Sequence, residues 1–150
     1  MPSLKTIDRM AIAAMLLTAV SIPLASHAFA FGTDKPSATI QLRDGVERRF
    51  YTTGPMGTTT QRVDVAPGGQ VVARAQVLND DVFRSIHAGM PESEVFELLG
   101  PPFGKTRFDA TRTVAWDYHY RDTWGYMADF SVSFNEAGAV VGKFSAREGD

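Results

Sequence analysis

Turn residues interrupt this chain so often that no long element fits between them. Asp44-Gly45, Gly54-Pro55-Met56-Gly57, Ala66-Pro67-Gly68-Gly69, Gly100-Pro101-Pro102 and Asn135-Glu136-Ala137-Gly138 cut residues 37–145 into short pieces. Glycine supplies positive φ at such places, and proline fixes φ and removes an N–H donor. Inside the pieces apolar residues alternate with polar ones. Ala38, Ile40 and Leu42 oppose Thr39, Gln41 and Arg43, which is the period of a half-buried strand. The punctuation predicts strands over Ser37–Arg43, Glu47–Thr53, Thr59–Val65 and Gln70–Val77, joined as hairpins.

One window departs from that alternation. Leu78, Val82 and Ile86 recur at i, i+4 and i+8 with Phe83 beside them, and Asn79 is placed to cap the helix they predict. Asp80 and Asp81 complement the positive end of its dipole. Gly89 ends it, and Pro91 suits the first turn of a second helix with a Val95, Leu98, Leu99 stripe, stopped by Gly100 and the two prolines. Strands return over Ala115–Asp122, Tyr126–Phe134 and Ala139–Ser145, with Trp116, Tyr118 and Tyr120 on one side. The expected fold class is α+β: a short helical hairpin packed on an antiparallel β-meander (αα-βββ), preceded by an N-terminal β-hairpin segment. A shift of 69 positions puts Tyr51 on Tyr120, Val63 on Val132, Gly69 on Gly138, and Val71-Val72 on Val140-Val141. The N-terminal segment thus reads as a degenerate repeat without its helices, although hairpins share valines and glycines in any case, so chance accounts for the match equally well.

The start of the chain reads as an address. Lys5 and Arg9 precede the apolar stretch from Met10 to Val20, followed by Pro23 and small residues with cleavage sites after Ala28 or, preferred, Ala30. That is the layout of a secretory signal peptide. The expected organisation is a signal peptide over 1–30, a β-rich segment over 31–77 and a domain over 78–150, in a periplasmic protein. Fifteen basic and seventeen acidic side chains leave a net charge of −2, without the basic surplus that nucleic-acid binding needs. With no cysteine there is no disulfide, thiolate metal site, cysteine nucleophile or thioether-linked lipid anchor.

No catalytic, cofactor or metal constellation stands out, and the expectation is a protein without enzymatic activity. Gly100–Thr106 has three residues, not four, before Gly104-Lys105, and it leaves a helix rather than opening one, so it is not a phosphate loop. His87 and His119 lack metal-ligand spacing, even with Asp117 or Asp122 as a third ligand. There is no Gly-x-Ser-x-Gly elbow, and Ser85 and Ser93 sit on short helices. Asp117, His119 and Arg121 alternate with the aromatic side of their strand and read as a solvated face. Arg121, Trp124, Tyr126 and Phe103 are the candidate partner-binding residues, because Arg, Trp and Tyr dominate binding energy when desolvated. The other reading is a small apolar ligand or lipid held between helix pair and sheet.

The order Phe83-Arg84-Ser85-Ile86, Gly89-Met90-Pro91, Leu98-Leu99-Gly100-Pro101-Pro102 resembles the SmpA/OmlA (BamE-like) family, with its Gly-Met pair, helix and Leu-Gly-x-Pro. Val114-Ala115-Trp116-Asp117-Tyr118 is similar to the family's Trp-x-Tyr strand. Phe130 to Val140, through Asn135 and Gly138, is similar to its paired strand, turn and final strand. The likeness spans residues 78–145. It implies a periplasmic αα-βββ domain that supports outer-membrane assembly by contact with envelope proteins, reaching the membrane only through partners. Gly89, Met90, Gly100, Pro102, Trp116, Tyr118 and Gly138 are then its fold residues. The chain departs from the lipoprotein members in lacking their cysteine. Pro91 replaces their capping Thr, at about 1 kcal/mol partly offset by proline's fixed φ. The compact unit also resembles the repeat of β-lactamase-inhibitor proteins, which act by docking.

Overall fold

The computed structural model describes residues 35–149, so the expected signal peptide lies outside the described residues. Eight strands and two helices follow in order: β1 Ala38–Gln41, β2 Glu47–Thr53, β3 Thr59–Val65, β4 Val71–Gln76, α1 Asp80–Ser85, α2 Glu92–Leu99, β5 Gly104–Phe108, β6 Thr113–Arg121, β7 Met127–Phe134 and β8 Val140–Arg147. They build two four-stranded antiparallel sheets, β1-β2-β3-β4 and β5-β6-β7-β8, within one compact unit.

The expected α+β fold, a helical hairpin on a three-stranded meander behind a hairpin segment, is therefore incorrect. Among the described residues strand makes up 49% against 17% helix, short 3-10 turns included, and sheet rather than helix sets the architecture. Two features escaped the sequence pattern. Gly104–Phe108 pairs with Thr113–Asp117 as an edge strand. Its side chains are mostly exposed, so no apolar alternation marked it. Residues 38–76 also close into a complete sheet of their own rather than separate hairpins.

The last hairpins of the two sheets, β3–β4 and β7–β8, share a geometry 69 residues apart. Val63↔Arg74, Asp64↔Ala73 and Val65↔Val71 recur as Val132↔Lys143, Ser133↔Gly142 and Phe134↔Val140, with the register shift at the same step. The turn bonds recur too: Ala66 N–H to Gln70 O at 2.8 Å answers Asn135 N–H to Ala139 O at 2.9 Å.

The helices are short, of six and eight residues, and are held by tertiary bonds rather than by propensity. Asn79 caps α1 by accepting from Val82 N–H at 3.0 Å. At its other end Lys143 Nζ donates to the Phe83, Arg84 and Ile86 carbonyls at 2.8, 3.2 and 2.6 Å. Pro91 precedes α2 instead of opening it and gives no side-chain cap. Glu92 N–H finds the Gly138 carbonyl at 2.9 Å, so a strand turn does what a capping Thr would. Phe83 stacks on Phe130 at 3.9 Å, and Phe96 meets Phe50 on one side (5.8 Å) and Trp116 on the other (6.3 Å). At this point α2 lies between the sheets, and the space between helices and second sheet is filled by packed core.

Candidate functional site

β6 carries the residues around which a site can form. Trp116, Tyr118 and Tyr120 face the helices and are buried, and burial pushes the Tyr118 and Tyr120 phenols above their usual range. Tyr118 Oη donates to the Gly100 carbonyl at 3.1 Å. On the opposite face Asp117 accepts from Ser131 Oγ at 2.5 Å, and His119 Nδ1 pairs with Asp129 across the strand. Of the expected solvated face, Arg121 is exposed, whereas the His119 side chain is only 17% exposed beside the Phe103 ring, whose centre lies 4.0 Å from that of the imidazole.

The reason is topological. β5 begins at Gly104, opposite Asp117, so residues 118–121 of β6 have no partner strand on that side. The turn end of the first sheet fills the gap, bringing Thr52, Gly57 and Thr60 toward Pro101, Pro102, Tyr118 and His119 around a cavity of about 280 Å³. Nε2 of His119 is buried and, among the described residues, is the side-chain polar atom left without a hydrogen-bond partner. Sequence reading missed this cavity, since Ser37, Thr52, Gly57 and Thr60 in its wall come from the distant N-terminal segment.

The four candidate partner-binding residues do not form one patch. Phe103 is 64% exposed at the edge of the outward face, beside His119. Arg121 lies on that face two residues further along β6, where Nη1 donates to the Gly125 carbonyl at 3.0 Å. Trp124, 78% exposed, sits at the β6–β7 turn and lines a polar hollow with Asp80, Asp122 and Arg147. Tyr126 has the Arg147 guanidinium over its ring at 5.2 Å. Asp122 organises this turn, accepting from the Trp124 and Tyr126 N–H groups at 2.9 Å and from Arg147 at 2.6 Å.

The strand register adds two aromatic residues that sequence reading passed over. Phe144, 67% exposed, pairs with Ser131, which pairs with Asp117; Phe108 pairs with Thr113. The outward face of the second sheet thus has a floor of Ala115, Asp117, Ser131, Ser133 and Gly142, with exposed phenylalanines at both edges. Period-two alternation within the expected Ala139–Ser145 strand was enough to place Phe144 there.

The family-motif residues serve the fold. Met90, Trp116 and Tyr118 are core, Pro102 lines the cavity, and Gly89 and Gly138 hold positive φ in turns. Gly100 has φ +76°, and a Cβ there would lie 2.6 Å from the Phe50 ring. His87 is exposed, with Nδ1 3.1 Å from the Ala88 carbonyl. Among the described residues no helix is long and apolar enough to cross a membrane, and no cluster of three metal-ligating side chains occurs. Compared with protein-family models, curated proteins and solved structures, the chain matches none.

Proposed function

We propose that this protein is an exported, non-enzymatic docking module of the cell envelope. It is periplasmic after cleavage near Ala30, and grips a partner protein with the outward face of its second sheet. The observation that carries this reading is the set of exposed phenylalanines at the two edges of that face: Phe103 and Phe108 on the β5 side and Phe144 on β8. Exposed apolar groups grouped on one surface mark contact sites, and aromatic anchors around a small-residue floor leave room for a partner's side chains. The likeness of residues 78–145 to the SmpA/OmlA family supports outer-membrane assembly components as the partner class. With no cysteine in the sequence to carry a thioether-linked lipid, this reading routes membrane association through those partners.

The test is purification of the tagged protein from periplasm, compared with a Phe103→Asp, Phe144→Asp double variant. A stoichiometric envelope protein that co-purifies with the wild type and is lost with the variant, while both melt alike, is the expected result. Equal recovery by both proteins would refute the docking face.

A further inference from the structure

We infer that a second copy of this chain adds to the free edge of β8, antiparallel and about a two-fold axis at Phe144, so that the second sheets of two molecules join into one. This goes beyond the docking reading, which concerns the outward face of that sheet and not its edge.

The strand orders leave β1, β4, β5 and β8 with one neighbour each. β8 is the longest of these edges, at eight residues against four, six and five. Edge strands are usually blunted by shortness, by proline or by an inward charge that a further strand would bury. β8 contains no proline, and its register shift falls at its start, leaving Gly142–Arg147 regular. Its inward charges are already matched: Lys143 Nζ by the carbonyls at the end of α1, and Arg147 by Asp122. A neighbour on this edge therefore buries no uncompensated charge.

The bonding pattern shows which backbone groups are on offer. Glu148 N–H donates to the Met127 carbonyl at 3.0 Å, and directly opposed residues of an antiparallel pair exchange bonds at every second position. Ala146, Phe144 and Gly142 thus bond toward β7, while the N–H and C=O groups of Lys143 and Ser145 point away from it. Both residues are exposed.

Self-pairing then has a preferred register. A two-fold axis perpendicular to the sheet keeps each side chain on its own face, so registers differ in steps of two residues. With the axis at Phe144, Lys143 lies opposite Ser145 of the second copy, and the pair exchanges both backbone bonds. The two Phe144 rings, exposed in the single chain, meet in the closer, non-bonded type of pair, which favours aromatic contact. One step in one direction sets Lys143 against Lys143 of the second copy; one step in the other sets it against Arg147. Like charges directly opposed disfavour both. The edge is thus complementary to itself, and the copy's outward face continues that of the first molecule.

The test is sedimentation velocity of the purified protein up to about 200 μM, because a single ladder is a small interface. The mass should rise from monomer to dimer with concentration. Ser145→Pro removes an N–H from the new ladder at a position an edge strand tolerates, and should stay monomeric. Phe144→Lys and Phe144→Glu, at an exposed position, should each be monomeric alone and form dimers when mixed, since the axis sets them face to face. These two variants carry the test if the proline disturbs the fold. A wild type that stays monomeric, a dimer that survives a folded Ser145→Pro, or a mixture that stays monomeric would overturn the inference. Ser145→Pro leaves Phe103, Phe108 and Phe144 in place, so partner capture by that variant reports on the outward face alone.

Discussion

Replacing Gly100 by Ala should cost far more than a methyl group suggests, and a second substitution shows why. Gly100 sits at φ +76°, ψ −161°, a region essentially reserved for glycine, so any side chain there carries about 1–3 kcal/mol of backbone strain. The new Cβ would also fall 2.6 Å from Cδ1 and 2.7 Å from Cγ of Phe50, a ring that is fully buried. Overpacking of that kind costs about 1–3 kcal/mol more. The single variant should therefore lose about 2–6 kcal/mol in urea denaturation followed by circular dichroism. Phe50→Ala alone should lose about 3–5 kcal/mol. In the double variant the methyl occupies space the ring has left: the steric part disappears while the backbone part stays. The double variant should be about 1–3 kcal/mol more stable than the sum of the singles implies. Additivity within about 0.5 kcal/mol, or a loss under about 1 kcal/mol for Gly100→Ala, would refute the contact between first sheet and α2 on which the reasoning stands.

Other outcomes are expected from particular contacts. Asp64→Asn should destabilise by about 2 kcal/mol at neutral pH, since Arg48 donates two bonds to Asp64 at 2.7 Å in a nearly closed setting. Those bonds, against the opposing effect of burial, hold the Asp64 carboxyl below its usual range. A lowered folded pKa means the stabilisation is present above the unfolded carboxylate value and is lost as pH falls through the folded value, so wild type and variant should converge in acid unfolding curves. Lys143→Met should lower stability by about 1–2 kcal/mol by leaving three carbonyls at the end of α1 without their donor, measured by denaturant midpoint. Trp124→Ala and Arg121→Ala should each leave the melting temperature nearly unchanged and weaken partner capture; if both melt the fold, those side chains are structural.

The sequence by itself determined the local elements. The bounds of β2 and β3 coincide with the alternating segments, Asn79 caps α1 as its position implied, and Gly138 turns the chain at positive φ. These are short-range matters, decided by side-chain period and by the few residues that tolerate special backbone angles. Tertiary structure decided the rest. Gly104–Phe108 is a strand because Thr113–Asp117 offers it a ladder, not because its own residues favour one. α2 begins where it does because a carbonyl 46 residues away accepts its first free N–H. The cavity at His119 exists because β5 starts late and another sheet fills part of the space, which no pattern along β6 records. Backbone donors and acceptors must be satisfied by whatever the fold brings near, and that neighbour is chosen in three dimensions.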